Sequence, residues 1–195
     1  MKDLHFDKAM IIFAHPDDAE VQCAGTIAFW IEAGIKVTYV VLTKGDKGTQ
    51  DPAMTREALA SLRRGEQLRA ADILGVGKVL FLENGDGELE VTMEKRRMLT
   101  RIIREYQPEV LVTHDPWMRY QLHPDHRACG TLALDAMISA RDRLYFPNQL
   151  LRPEGALTRG APNVDPLRIQ NQDPDIPVRE SLSQPVEGHL VVGRY

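Results

Sequence analysis

The sequence predicts an α/β protein with a Rossmann-like, three-layer α/β/α architecture around a mostly parallel sheet. Four short apolar runs rich in β-branched residues are separated by segments of helical length and period. The runs show little alternation of apolar and polar residues, which is typical of strands covered by helices on both faces. A repeated order of strand, helix and strand favours right-handed crossovers and therefore a parallel sheet.

The predicted elements follow one another closely along the chain. Strands are predicted at 9–14, 36–43, 78–83 and 109–114, and helices at 19–33, about 55–74 and 92–106. The segment "ILGVGK" ends the second helix, because glycine commonly follows the last helical residue. A fourth helix is predicted to begin at Pro124, since proline suits the first helical position.

Composition and charge narrow the function classes. The 195 residues, 43% of them hydrophobic, suffice for one sizeable core. A formal net charge of −4, with scattered Lys and Arg, argues against binding to nucleic acid or an anionic membrane. No secretory signal or membrane span is expected, and Cys23 and Cys129 are predicted to be buried thiols in a reducing compartment. A cytoplasmic protein acting on small molecules is predicted.

The composition changes after Phe146. Seven of the twelve prolines fall in the last 49 residues, and the apolar periodicity fades there. Two parts are therefore expected: a folded domain at 1–146 and a proline-rich tail at 147–195, with a short final strand in "HLVVGRY".

Two histidine-containing motifs follow predicted strands. In open α/β sheets, ligands bind beyond the carboxyl ends of the strands. "HPDDAE" follows the first strand and places His15 and Asp18 three residues apart, while "HPDH" places His123 and His126 at the same spacing. Two imidazoles and a carboxylate are ligands that zinc accepts, with a fourth position left for water. Each motif alone is also compatible with a simple helix start, in which an aspartate caps the helix.

These motifs resemble those of the PIG-L/LmbE-like family of zinc-dependent de-N-acetylases. The likeness extends through "AGTIAFWIEAG", "VTYVVLTKGDKGT", "RRGEQLRAADILGV" and "LENGDGEL", and covers residues 8–146. It implies removal of an acetyl group from an N-acetylglucosamine-type small glycoside. It also implies Zn²⁺ as cofactor, with another divalent metal such as Fe²⁺ as the alternative.

The resemblance assigns roles to individual residues. The metal ligands are His15, Asp18 and His126, and Asp17 is the general base that takes a proton from the activated water. His123 stabilises the oxyanion or protonates the leaving amine. Asp125 is expected to hydrogen-bond an imidazole and hold it charged, which would raise the pKa of His123. Arg63 is expected to contact the substrate or the released acetate, and Tyr120 to lie on a loop over the pocket. Glu20 is expected to have a supporting role.

Some neighbours of the site are predicted to be structural. Asp46 and Asp86 follow the second and third strands, where acids beside glycine are more often turn residues than sugar ligands. His114 is expected to make a polar contact rather than to act as a fourth ligand. Trp117 is left open between stacking on a sugar and packing at the edge of the core.

The chain departs from the family pattern after residue 146. Relatives continue with strands and a helix that complete the sheet and wall the pocket, whereas the last 49 residues here do not follow that pattern. Substrate recognition is therefore open, and a neighbouring subunit in a homo-oligomer is one way to cover an unfinished sheet edge. Hydrolysis of another amide or of an ester, and a catalytically impaired homologue, are the alternatives. Dinucleotide binding is disfavoured, because no GxGxxG follows the first strand.

Overall fold

The computed structural model describes residues 6–150 and the backbone of a final strand at Leu190–Arg194. The strands are β1 (Lys8–Phe13), β2 (Lys36–Thr43), β3 (Lys78–Asn84), β4 (Val110–His114) and β5 (Leu190–Arg194). The helices are α1 (Asp18–Glu32), α2 (Arg56–Leu74), α3 (Met93–Tyr106) and α4 (Pro124–Arg141), followed by a 3₁₀ turn at Pro147–Gln149. The predicted strands and helices are confirmed, with ends that agree to within two residues.

The five strands form one sheet in the order β3-β2-β1-β4-β5. β1 pairs in parallel with β2 and β4, and β2 pairs in parallel with β3. Ile11, in the middle of β1, lies opposite Tyr39 on one side and Val112 on the other. β5 is antiparallel to β4, so the prediction of a mostly parallel sheet is confirmed.

Alternate side chains of β1 enter two separate cores. Met10 and Ile12 pack with residues of α3 and α4, while Ile11 and Phe13 pack with residues of α1 and α2. Each face of the sheet is therefore covered by a pair of helices, because successive side chains of a strand point to opposite faces. The three-layer α/β/α architecture is confirmed.

Local signals in the sequence fix the ends of the helices. The hydroxyl of Thr55 accepts a hydrogen bond from the backbone N–H of Ala58 at 3.2 Å and so caps α2. Gly75 ends α2 with φ of 82°, a left-handed conformation that glycine adopts without strain. Pro124 occupies the first turn of α4, as predicted.

Cys23 and Cys129 are buried and unpaired with each other, as predicted. Most of the predicted tail at 147–195 lies outside the described residues, and its predicted final strand is present at Leu190–Arg194. Within the described part of the chain, no helix is both long and apolar enough to cross a membrane.

Candidate metal centre and active site

The two histidine motifs meet at the carboxyl ends of two adjacent strands. β1 and β4 are neighbours, yet the helices that follow them, α1 and α4, lie on opposite faces of the sheet. Such a reversal opens a crevice between the two strand ends. Gly130 of α4 deepens the contact there, since a Cβ at this position would overlap the carbonyl oxygen of His114. The close approach brings the start of α4 over the end of β4.

The donor atoms of the three predicted ligands converge in this crevice. Nδ1 of His15 lies 3.2 Å from Nε2 of His126 and 3.4 Å from Oδ2 of Asp18. Nε2 of His126 lies 3.3 Å from Oδ1 of Asp18. The structure thus brings together all three residues that the sequence selected. Among the described residues, the donor atoms close enough to share one ion fall into three overlapping sets: His15, His123 and His126; Asp18, His114 and His126; and His15, Asp86 and Asp125. The three predicted ligands are divided between the first two sets, which have His126 in common.

The outer nitrogens of both candidate imidazole ligands are held by other side chains. Nε2 of His15 lies 3.1 Å from Oδ2 of Asp125, and Nδ1 of His126 lies 3.1 Å from Oε1 of Gln121. A partner on the outer nitrogen fixes the tautomer and orientation of a ligating ring. The inner nitrogens of both rings are therefore directed at Asp18 and at each other.

The turn between β1 and α1 presents Asp18 to the cluster. The backbone N–H of His15 donates to Oδ2 of Asp18 at 2.8 Å, which folds the carboxylate back over the end of the strand. Burial favours the protonated form of Asp18, but hydrogen bonds from His114, His126 and His15 hold its pKa well below the usual range. Asp18 is therefore an anionic group surrounded by three imidazoles.

Asp17 does not cap α1 with its side chain, although it occupies the N-cap position. Its backbone has φ of 89°, an uncommon left-handed conformation that aspartate tolerates better than most residues. Its carboxylate accepts a hydrogen bond from Nη2 of Arg63 at 2.6 Å. The helix-capping alternative for Asp17 is thus not what the structure contains, and its side chain is more than half exposed.

Arg63 hydrogen-bonds to other parts of the protein, unlike an arginine whose side chain is surrounded by solvent. Besides Asp17, its guanidinium donates to the carbonyl oxygen of Pro16 at 2.8 Å and to Glu66 at 3.0 Å. Burial disfavours the charged form, but the two carboxylates raise the pKa of Arg63 above its ordinary value. Arg63 lies at the site, next to the predicted base, and its contact with substrate stays a prediction.

Asp125 contacts an imidazole, as expected, but the ring is that of His15 and not that of His123. Its fully buried carboxylate contacts Nε2 of His15 and accepts hydrogen bonds from the backbone N–H groups of Gly87 at 2.7 Å and Leu89 at 3.1 Å. What Asp125 offers to His123 is its backbone N–H, which donates to Nδ1 of His123 at 3.3 Å. The first turn of α4 directs the Asp125 side chain inward, toward β1, so the carboxylate orients the other motif's histidine.

The predicted rise in the pKa of His123 is wrong. Burial and the neighbouring rings of His15 and His126 lower this pKa, and Asp125 and Asp86 offset the effect only in part. Because Nδ1 of His123 accepts a hydrogen bond, the proton of the neutral ring lies on Nε2. By contrast, burial opposes protonation of His15, but Asp18 and Asp86 outweigh it and raise the pKa of His15.

His114 makes a polar contact at the cluster, as expected, whereas Asp86 lies closer to the cluster than its sequence context indicated. His114 is buried, places Nε2 3.2 Å from Oδ2 of Asp18 and stacks on His126 with ring centroids 4.1 Å apart. Asp86 places Oδ1 3.2 Å from Nε2 of His15. Asp46 is a buried turn residue, as predicted: it accepts hydrogen bonds from the backbone N–H of Asp86 at 2.8 Å and from Arg56 at 2.7 Å.

The loop between β4 and α4 exposes its large side chains. Tyr120 is 79% exposed, has φ of 64° and contacts Arg119 through its ring. Trp117 is also largely exposed, so it does not plug the core edge. The loop joins His114 to His123, and both aromatic side chains are exposed to solvent on it.

Known proteins resemble this chain in sequence and in fold. The model of the PIG-L family, described as GlcNAc-PI de-N-acetylase, matches residues 10–137. A diacetylchitobiose deacetylase of Thermococcus kodakarensis is 41% identical over 130 residues, which are 67% of this chain and 49% of that protein. The chain thus spans about half the length of this relative.

Two solved structures resemble the fold. The N,N'-diacetylchitobiose deacetylase from Pyrococcus horikoshii, complexed with its inhibitor MPG, superposes with a TM-score of 0.73 at 36% identity, over 74% of this chain and 54% of that one. GalB, the 4-carboxy-2-hydroxymuconate hydratase of Pseudomonas putida KT2440, gives 0.67 at 29% identity, over 74% and 61% of the two chains. With the family model matched from β1 to α4, the chain belongs to the PIG-L family.

Proposed function

We propose that this protein is a metal-dependent hydrolase that removes the N-acetyl group from an N-acetylglucosamine-type small glycoside. The observation that carries the proposal is the convergence of His15, Asp18 and His126, with an uncoordinated carboxylate, Asp17, on the same turn. The deacetylases of Thermococcus kodakarensis and Pyrococcus horikoshii, at 41% and 36% identity, support the same reaction class.

The donor set fits zinc. Nitrogen and oxygen ligands at about 2.0–2.1 Å from a tetrahedral ion lie about 3.3–3.4 Å from one another. Nδ1 of His15 and Nε2 of His126 are 3.2 Å apart, and they lie 3.4 Å from Oδ2 and 3.3 Å from Oδ1 of Asp18, respectively, so each pair is at a suitable distance with a different carboxylate oxygen of Asp18 facing each ring. These residues would hold zinc, and Fe²⁺ is the alternative because imidazole and carboxylate suit both ions. A bound ion of this kind supplies a Lewis acid that lowers the pKa of water and polarises an amide carbonyl.

The chain's own groups then divide the proton transfers. Asp17 takes a proton from the attacking water, and Arg63 holds the Asp17 carboxylate through a hydrogen bond at 2.6 Å. The water oxygen bonds to the acyl carbon, the C–N bond breaks, and the proton held by Asp17 passes to the departing nitrogen. The second proton of the water stays on the carboxyl group, so the products are acetic acid and a primary amine, and atoms and charge balance.

His123 assists as a neutral hydrogen-bond donor. Its lowered pKa and its accepting Nδ1 leave an N–H on Nε2, the ring atom that lies 3.7 Å from Asp86 at the open side of the crevice. A neutral donor can stabilise the carbonyl oxygen as negative charge develops there. Asp125 supports the site through His15, and Tyr120 and Arg63 are the proposed contacts to substrate.

Metal content and turnover, measured on the same samples, test this proposal. His15→Ala, Asp18→Ala and His126→Ala are each expected to lose stoichiometric zinc. Asp17→Asn is expected to retain zinc and lose turnover of an N-acetylglucosamine glycoside by about 100-fold or more. Asparagine tolerates positive φ, so this change removes the base with little disturbance of the turn. Asp51→Asn, in an exposed loop, is the matched control. Full activity of Asp17→Asn would contradict the assigned base.

The second candidate is a different use of the same site. The resemblance to the GalB hydratase supports addition of water to a carbon–carbon double bond, although the identity, 29%, is lower than with the deacetylases. Hydrolysis of another amide or an ester, and an impaired homologue, are further alternatives. A panel of N-acetylglucosamine glycosides, aryl esters, phosphoesters and a conjugated enol acid distinguishes these possibilities, and only the first group is expected to react. Homo-oligomerisation and a cytoplasmic location are proposed alongside.

A further inference from the structure

We propose that Gln67 is a positioning residue for Asp17, and that it acts by linking the N-terminus of α1 to helix α2 through hydrogen bonds. The inference rests on the proposed function, in which Asp17 is the base. Gln67 lies on α2, is 3% exposed, and directs its two side-chain hydrogen bonds to Asp17 and Glu20, neither of which is a proposed metal ligand. Its amide does not titrate near neutral pH, so its contribution is geometric.

The side chain of Gln67 makes two hydrogen bonds that span two helices. Its Oε1 accepts from the backbone N–H of Asp17 at 2.7 Å, and its Nε2 donates to Oε1 of Glu20 at 2.9 Å. Asp17 is the N-cap of α1, and Glu20 is the third residue of that helix. A glutamate at this place usually accepts directly from the N-cap N–H, in the arrangement called a capping box. Here Gln67 stands between the two groups and completes the box from another helix.

The same peptide group is held at both of its polar atoms. Pro16 and Asp17 share one peptide unit, whose carbonyl accepts from Arg63 at 2.8 Å and whose N–H donates to Gln67 at 2.7 Å. Arg63 and Gln67 are four residues apart on α2 and therefore lie on one face. Since a peptide unit is planar, two anchors fix its orientation.

This orientation matters because Asp17 has positive φ. A non-glycine residue in the left-handed region persists only where the surroundings over-determine it. Without Gln67, the N–H of Asp17 is released and the turn can relax toward an ordinary helix start. Its carboxylate would then shift relative to His15 and Asp18, which are fixed by separate contacts. We therefore expect the base to be displaced while the metal ligands remain in position.

Glu20 is partly buried and accepts the hydrogen bond from Nε2 of Gln67. Its Oε2 is buried and makes no hydrogen bond within the described residues. Exchange of the two residue types retains one carboxylate and one amide: in Glu20→Gln/Gln67→Glu, the new glutamate accepts from Asp17 and from the new glutamine. The double variant therefore has a donor and an acceptor for each of the two hydrogen bonds.

The test compares zinc-loaded wild type with Gln67→Met, Gln67→Glu, Glu20→Gln and the exchanged double variant. Gln50→Met, at an exposed position, is the matched control. For Gln67→Met we expect full zinc content, KM for an N-acetylglucosamine glycoside within about twofold and kcat lower by about tenfold or more, since small misplacements of a catalytic group are costly. The double variant is expected to recover kcat to within about threefold of wild type.

Hydrogen exchange of the Asp17 amide gives a readout that needs no turnover. Exchange is expected to be at least about tenfold faster in Gln67→Met and to return toward the wild-type rate in the double variant. An active wild type with unchanged kcat in Gln67→Met, or a double variant no better than Gln67→Glu, would overturn the inference. If Gln67→Met does not fold, kcat of Gln67→Glu is compared with kcat of the double variant, and a double variant that is no faster overturns the inference. An inactive wild type would instead contradict the proposed function, and the Asp17 amide would still report the contact.

Discussion

Replacement of Asp125 by alanine is expected to weaken both the fold and the metal centre. The carboxylate is completely buried, accepts hydrogen bonds from the N–H groups of Gly87 and Leu89, and contacts His15. Alanine removes all three contacts at once. The N–H of buried Leu89 then lacks a partner, whereas that of Gly87, on an exposed residue, can turn to water.

The expected cost follows from these two amides. An unsatisfied buried N–H costs about 1–3 kcal/mol, and a lost hydrogen bond that water can replace costs about 0.5–1.5 kcal/mol. Asp125→Ala is therefore expected to lower the free energy of unfolding by roughly 2–4 kcal/mol in the metal-free protein. Asp125→Asn keeps one acceptor oxygen and is expected to lose about half as much. Release of His15 should in addition weaken zinc binding by about 10- to 100-fold.

Urea denaturation followed by circular dichroism, with a chelator and then with zinc, measures both effects. Asp51→Ala is the control, because it removes an exposed carboxylate that accepts from a single backbone N–H, that of Ala53 at 2.9 Å. A change below about 0.5 kcal/mol is expected there. If metal-free Asp125→Ala were as stable as this control, the reasoning from the buried amides would be refuted.

Three further changes have defined outcomes. Gly130→Ala places a Cβ on the carbonyl of His114, so it should destabilise the protein by about 1–3 kcal/mol and lower zinc affinity, as titration would measure. Thr55→Ala removes the cap of α2 and should cost about 1 kcal/mol in urea denaturation without a change in zinc affinity. Hydrogen bonds from Asp86 and Arg56 outweigh burial and lower the pKa of Asp46 below its ordinary value of 3.8. Asp46→Asn should therefore destabilise the protein near neutral pH, and the difference from wild type should shrink as pH falls below 3.8.

The fold and the donor triad could be predicted from the sequence, because both depend on local patterns. The helix of α4 is marked by Pro124 at its start, and His15 and Asp18 come together through a spacing of three residues. The position of the crevice, at the carboxyl ends of β1 and β4, follows once these two strands are known to be adjacent.

Contacts between distant segments could not be predicted in this way. Asp125 lies two residues from His123 in sequence, but the direction of its side chain in the first turn of α4 decides that it contacts His15. The pKa of His123 depends on a balance between burial, two rings and two carboxylates, which no spacing encodes. Gln67 is fifty residues from Asp17 and carries no motif of its own. A search for amide side chains one turn from Arg63 would have found it.

His15 uses both ring nitrogens on opposite sides, toward Asp18 and His126 with one and toward Asp125 and Asp86 with the other. Cysteine and aspartate are metal ligands too, but neither can bridge these two groups at the span of an imidazole. Attempts to redesign the metal preference should therefore begin at His126. Among the described residues, its outer nitrogen hydrogen-bonds to the amide of Gln121 alone, on the loop before α4, which leaves more room for exchange of the ligand type.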